Sequence, residues 1–184
     1  MRSRTPRGVV QGVALCAALV LVGVTGCAAN EPTPEPSDGG IEGGQTYGDL
    51  TRDHSTDDVS YAQSPPVGGD HDPEWVDCTG TVYDEVVRDE NAVHALEHGA
   101  VWVTYNDAAS DDDVTALAAK VEGQPYSFMS PYPDQEQPIV LTAWGVQLAV
   151  DAADDERIDE FLTTYRSGPQ TPEPGATCEA GEMA

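Results

Sequence analysis

Residues 90–105 set the strongest limit on the fold, because a helix signal runs directly into a strand signal. Residues 89–98 are rich in alanine and other helix-favouring residues, Asp89 can act as N-cap, and Gly99 stands where a helix commonly ends. Residues 100–105, Ala-Val-Trp-Val-Thr-Tyr, are apolar at consecutive positions, which is typical of a strand covered on both sides. The sequence therefore predicts a short helix followed by a central strand.

Two more helices and three more strands follow from the remaining patterns. The helices are predicted at 111–122, after the N-cap candidate Ser110, and at 154–166; the strands are predicted at 79–87, 126–130 and 139–144, the last two as a hairpin. The order predicts an α+β fold, in which an antiparallel sheet of about four strands packs against two or three helices on one face. The part before this sheet is expected to be long and irregular.

The first 30 residues have the pattern of a lipoprotein signal peptide. Three arginines precede an apolar run over 9–24, and two small residues stand directly before Cys27. The positive segment stays in the cytoplasm while the short apolar core enters the translocon. We expect residues 1–26 to be removed and Cys27 to carry diacylglycerol and palmitate, which would anchor the chain on the extracytoplasmic face of the cell membrane. An uncleaved membrane-spanning helix is the alternative.

The charge of the chain excludes two classes of partner. The formal net charge is −25, and loss of the signal peptide with its arginines would make it more negative. Nucleic acid and anionic lipid headgroups would both be repelled, so the expected membrane contact is the lipid on Cys27 alone. Residues 27–50 are rich in proline, glycine and glutamate, and we expect a flexible tether there. A single domain over 51–180 remains, and no protein partner can be named.

Two cysteines remain once the signal peptide and the lipid are accounted for. Cys78 and Cys178 form an even pair in an oxidising compartment, so we predict a disulfide between them. Closing a loop of about 100 residues would remove on the order of 4 to 5 kcal/mol of unfolded-chain entropy. A metal site built on both thiolates is the weaker alternative, because neither cysteine has a second one at Cys-x-x-Cys spacing.

The histidines are the main candidates for chemistry. On a helix His94 and His98 share one face and can share an ion, whereas on a strand they stand about 13 Å apart. His71, on a loop rich in proline and glycine, could supply a third nitrogen, with His54 and Met129 as lesser candidates. Imidazole suits zinc and copper, and a thioether suits cuprous copper. The sequence thus predicts one copper or zinc ion on His71, His94 and His98.

Two other functions fit the same residues. The histidines can be structural, in an envelope interaction or scaffold protein without a metal. The segment 94–98 also fits the His-x-x-Glu-His pattern of inverzincin peptidases, in which Glu97 would be the base of a small metal-dependent hydrolase. The domain is small for a substrate cleft, so binding is the expected role rather than catalysis.

Several motifs resemble a known bacterial family. They are the segments 61–71 (Tyr-Ala-Gln-Ser-Pro-Pro-Val-Gly-Gly-Asp-His), 94–102 (His-Ala-Leu-Glu-His-Gly-Ala-Val-Trp), 130–133 (Ser-Pro-Tyr-Pro), 142–145 (Thr-Ala-Trp-Gly) and 165–169 (Tyr-Arg-Ser-Gly-Pro). Together they are similar to DUF 3105, a domain of unknown function, over about residues 53–178. The resemblance implies a secreted or membrane-anchored protein and brings no established activity.

Overall fold

A computed structural model describes residues 35–36 and 40–179 of the chain. The predicted signal peptide and Cys27 lie outside these residues. Within the described part, none of the helices combines the length and the apolar character that crossing a membrane requires.

The described residues form seven strands and three helices. In chain order they are β1 (Glu35–Pro36), β2 (Gln45–Thr46), β3 (Thr79–Val82), α1 (Asp89–Glu97), β4 (Val101–Tyr105), α2 (Asp111–Val121), β5 (Ser127–Pro131), β6 (Ile139–Ala143), β7 (Val146–Val150) and α3 (Arg157–Tyr165). The α+β class is confirmed, and so is the helix that leads into a central strand.

All the strands belong to one mixed sheet, in the order β1-β2-β7-β6-β4-β5-β3. β5 pairs in parallel with both β3 and β4, while β4 pairs with β6 antiparallel. The expectation of about four antiparallel strands is therefore wrong. The chain passes from β4 through α2 to β5, and such a helical crossover returns the chain parallel to the strand it left.

The predicted hairpin of the segments 126–130 and 139–144 is also wrong, because β4 lies between them in the sheet. The true hairpin is β6 with β7, a strand that the sequence did not reveal. Its two-residue turn is Trp144-Gly145, where Gly145 has a φ of +67°. A positive φ is common in such turns and favours glycine.

Helices cover both faces of the sheet, so the expected arrangement on one face is wrong. Val101 and Val103 of β4 belong to the core under α2 and α3, and we call this side the apolar face. Trp102, which points the opposite way, belongs to a second core under α1, and we call that side the α1 face. Both sides need a cover because β4 is apolar in both directions.

Part of the segment expected to be a tether packs on the domain. Ile41 is only 5% exposed within the core of the apolar face. β2 pairs with β7, and the Tyr47 amide donates a hydrogen bond to the Gly145 carbonyl at 2.8 Å. One buried apolar side chain and one paired strand therefore hold the glycine-rich residues 40–47 in place.

α1 and the disulfide fix the region that carries the histidines. α1 begins at Asp89, with Arg88 rather than Asp89 at the N-cap position, and no side chain caps it. Gly99 follows it with a φ of +103°, and a Cβ there would lie 2.8 Å from the Thr171 hydroxyl oxygen. The Cys78–Cys178 disulfide is present and joins the C-terminal tail to the segment before β3.

Candidate metal centre

One side of α1 carries three buried polar side chains, Glu90, His94 and Glu97. They recur at i, i+4 and i+7, which places them in one stripe along the helix. The irregular segment 51–76 covers this stripe, and its Val59 amide donates a hydrogen bond to Glu90 Oε1 at 2.8 Å. The polar stripe therefore lies under a loop and not on the sheet.

Four side chains converge under this loop: His54, His71, His94 and Glu97. One ligand atom from each lies within 4.8 Å of the others. Two atoms bound to one ion, each at about 2.1 Å, are separated by at most about 4.2 Å. The separations within the cluster are therefore close to those of ligands around a single ion.

The two buried histidines are held in the orientation that metal ligands need. His71 Nδ1 lies 2.8 Å from the Gly69 carbonyl oxygen, and His94 Nδ1 lies 2.7 Å from that of Asp72. Because a carbonyl oxygen only accepts, each Nδ1 must carry the hydrogen. A neutral ring then has a lone pair on Nε2, and backbone support of this kind is usual behind metal-bound histidines.

The contact between His71 and Glu97 bears most directly on what the cluster can bind. Their Nε2 and Oε2 atoms are 2.9 Å apart, and both side chains are almost fully buried. The distance suggests an ion pair, yet His71 Nε2 has no hydrogen-bond partner of acceptable geometry among the described residues. A ring N–H that misses its acceptor gains little, so the short distance alone does not make this contact a hydrogen bond. A cation held between the two atoms would satisfy both.

His54 differs from the other three because it faces solvent. Its side chain is 49% exposed, and its Nε2 lies 3.9 Å from Glu97 Oε2. The ring stacks on His94 with centroids 5.0 Å apart. A bridge between His54 and His71 holds its backbone, with the Ser55 amide donating to the His71 carbonyl at 2.7 Å. His54 thus closes the cluster on its solvent side.

The protonation state of His94 suits a metal ligand. The pKa of His94 is lowered to about 4, mainly by burial and in part by the nearby rings of His98, His71 and His54, while the hydrogen bond to the Asp72 carbonyl opposes the shift. At neutral pH this imidazole is therefore uncharged and free to donate its lone pair.

His98 is not a member of the converging group. Its Nδ1 donates to the Thr177 carbonyl at 2.8 Å, and its Nε2 lies 3.8 Å from Glu173 Oε2. Glu97 and His98 follow His94 at i+3 and i+4, so both lie close to it on the helix surface. The loop packs against Glu97, and the C-terminal tail packs against His98. The converging group therefore contains Glu97, whereas the predicted ligand His98 lies outside it.

Met129, which was expected to be a lesser candidate ligand with a soft sulfur donor, does not belong to the cluster. It is fully buried in the core of the apolar face, across the sheet from α1.

The i, i+3 spacing of His94 and Glu97 is the sequence signal that could have pointed to the Glu97 carboxylate as a member of the cluster.

Comparison with curated proteins and with solved structures gives no match. Residues 53–180 match the family described as "Protein of unknown function (DUF3105)", and this region contains all four converging side chains. The match extends over more than half of the chain. The resemblance seen in the motifs is thereby confirmed, and the chain belongs to the DUF3105 family.

Proposed function

We propose that this protein binds one divalent transition-metal ion, Cu²⁺ or Zn²⁺, through His54, His71, His94 and Glu97. The contact of His71 Nε2 with Glu97 Oε2 carries the proposal, because two electron-pair donors stand 2.9 Å apart in a buried site. Leaving two such groups without a shared proton or cation is costly in a protein interior. A bound ion removes that cost.

The donor set favours a divalent ion over cuprous copper. Three imidazole nitrogens and one carboxylate oxygen suit Zn²⁺ and Cu²⁺, whereas Cu⁺ prefers thiolate or thioether sulfur. Met129 lies on the opposite face of the sheet, and Cys78 and Cys178 are joined in the disulfide. No sulfur ligand therefore faces the cluster from these residues.

The proposed setting is the extracytoplasmic face of the cell membrane. The signal-peptide pattern supports it, with acylated Cys27 as the anchor and the tether leading to the domain. The disulfide supports it too, because such bonds persist mainly outside the cytoplasm. In this setting the protein captures ions at the cell envelope.

A hydrolase in which Glu97 acts as the base is less well supported. In that scheme both histidines of the His-x-x-Glu-His segment hold the ion and the glutamate activates water. Here His98 turns to the tail, and Glu97 stands among the ligands. The geometry therefore favours binding over peptide hydrolysis.

Calorimetric titration of the mature protein with Zn²⁺ and Cu²⁺ tests the proposal. Glu97→Gln keeps the shape of the side chain and removes a ligand charge, so affinity should fall by about 100-fold. Glu90→Gln is the matched control, since Glu90 is a buried carboxylate on the same stripe of α1 outside the cluster. Equal affinities in the two variants would overturn the assignment, and absence of binding in the wild type would make the histidines structural.

A further inference from the structure

A second pair of electron donors lies at the C-terminal end of α1, where His98 of the C-cap faces Glu173 of the tail. His98 Nδ1 donates to the Thr177 carbonyl at 2.8 Å, so a neutral ring has its lone pair on Nε2, as in His71 and His94. That Nε2 lies 3.8 Å from Glu173 Oε2. Both atoms can therefore lie about 2.1 Å from one ion without a change in the backbone.

The pair is anchored through the His98 ring and the Glu173 backbone, and it is open to solvent on one side. The Glu173 amide donates to the Glu97 carbonyl at 3.1 Å, and the disulfide at Cys178 ties the tail down a few residues further on. The His98 side chain is 5% exposed, whereas that of Glu173 is 51% exposed. An ion arriving from solvent would meet the carboxylate first and the imidazole behind it.

The pair lies beside the buried cluster. The ring centroid of His98 is 4.5 Å from that of His94, which belongs to the cluster. The Trp75 ring lies against both, at 4.8 Å from His98 and 5.2 Å from His94. One indole therefore stands next to both sets of donors.

We propose that His98 and Glu173 form a second, weaker site for a divalent transition-metal ion, through which ions enter and leave the buried centre. The proposal rests on the proposed function, because it needs a buried centre to supply. Two protein ligands bind an ion more weakly than four, with water completing the coordination. Weak binding suits a site of passage, since an ion that is held tightly does not move on.

Stopped-flow fluorescence with Cu²⁺ tests the proposal, because a copper ion near Trp75 quenches its emission. Glu173→Gln should slow association with the buried centre about tenfold and slow release as much, leaving its equilibrium affinity within about twofold. Glu179→Gln is the matched control, with the same charge change at an exposed position of the same tail. Calorimetry with Zn²⁺ should show a second, weak equivalent in the wild type and in Glu179→Gln, and none in Glu173→Gln.

Three outcomes would overturn this site. Equal slowing in Glu173→Gln and Glu179→Gln would show general attraction by the acidic surface, and unchanged rates in Glu173→Gln would exclude passage through the pair. Loss of tight binding in His98→Gln would make His98 a ligand of the buried centre. In each case the wild type still binds its tight ion, so the proposed function stands. Only a wild type that binds no ion removes both proposals.

Discussion

The two faces of the sheet are buried to a similar degree but by different kinds of side chain. Under α2 and α3 the core is built of aliphatic and aromatic residues such as Leu141 and Phe161. The α1 face also has an aromatic core, yet beside it lie His71, His94 and Glu97, all nearly inaccessible to water. Apolar burial stabilises a fold, whereas buried polar groups reduce stability unless they find partners. The apolar face therefore contributes stability throughout, whereas the α1 face holds polar side chains whose burial needs partners.

The polar groups of the α1 face find their partners mostly in loop backbone. The carbonyls of Gly69, Asp72 and Thr177 accept from the three buried imidazoles, and Asp72 is itself fixed by an ion pair with Arg88. Irregular segments thus complete the cover of this face together with α1. Their positions depend on a few fixed points, of which the disulfide is one.

The largest effect is expected from the disulfide. The Cys78→Ala, Cys178→Ala double variant frees a loop with a sequence separation of 100. The free energy of unfolding should fall by about 4 to 5 kcal/mol, because the unfolded chain regains its entropy. Denaturant unfolding measures the loss, and hydrogen exchange should show the tail around Thr177 opening before the apolar face. A loss below about 1 kcal/mol would mean that the α1 face holds its tail without the bond.

Phe161→Ala should lower the stability of the fold without changing the affinity for Zn²⁺. Phe161 is fully buried between α3 and the sheet, so its truncation should lower the free energy of unfolding by about 3 to 5 kcal/mol. The affinity for Zn²⁺ should stay within about twofold, because the cluster lies on the other face. Denaturant unfolding and calorimetry measure the two quantities. A fall in affinity that follows the fall in stability would show that the faces are not independent.

Zinc should stabilise the fold through the α1 face alone. At a free Zn²⁺ concentration of about 100 times the dissociation constant, the free energy of unfolding should rise by about 2.7 kcal/mol. Phe161→Ala should gain the same increment, whereas Glu97→Gln should gain almost none at that concentration. Unfolding curves with and without Zn²⁺ give the comparison. Equal gains in wild type and Glu97→Gln would place the ion somewhere other than the cluster.

The sequence predicted those features that depend on local pattern. β4 is central because both of its faces are apolar, and α1 ends just before Gly99, whose positive φ takes the chain out of the helix. The pairing of Cys78 with Cys178 was predicted by counting the cysteines outside the expected signal peptide and lipid anchor. Each of these predictions depends on a few neighbouring residues or on the number of cysteines, so a single sequence was sufficient to make it.

The features that were missed depend on which surfaces meet. Strand periodicity shows which side chains share a face and says nothing of the neighbouring strand, so the parallel partner of β4 could not be deduced. In the same way, helix geometry makes Glu97 and His98 equally close to His94. Only the packing of the loop on one side and the tail on the other makes Glu97 the fourth member of the cluster.

Substitution of Asp89, at the start of α1, should have the smallest effect on the free energy of unfolding, and this effect should depend on pH. The pKa of Asp89 is raised from 3.8 to about 6, mainly by burial and in part by the charge of Glu90, against the opposing effect of the hydrogen bond from the Tyr132 hydroxyl. Between pH 4 and 6 the native state therefore binds more protons than the unfolded chain. The free energy of unfolding falls as the pH rises through this window, and the deficit is complete above it.

Asp89→Asn removes the titration, so the variant should be more stable than the wild type by about 1 to 2 kcal/mol above pH 6, with partial solvent screening taken into account. Below pH 4 the two proteins should have similar stability. Asp112→Asn is the matched control, because it removes the same charge from the first turn of α2 at an exposed position on the apolar face. Denaturant unfolding from pH 3.5 to 8 measures the difference. If both variants show the same pH profile, the acidic surface as a whole is responsible, and burial at the α1 face is not the cause.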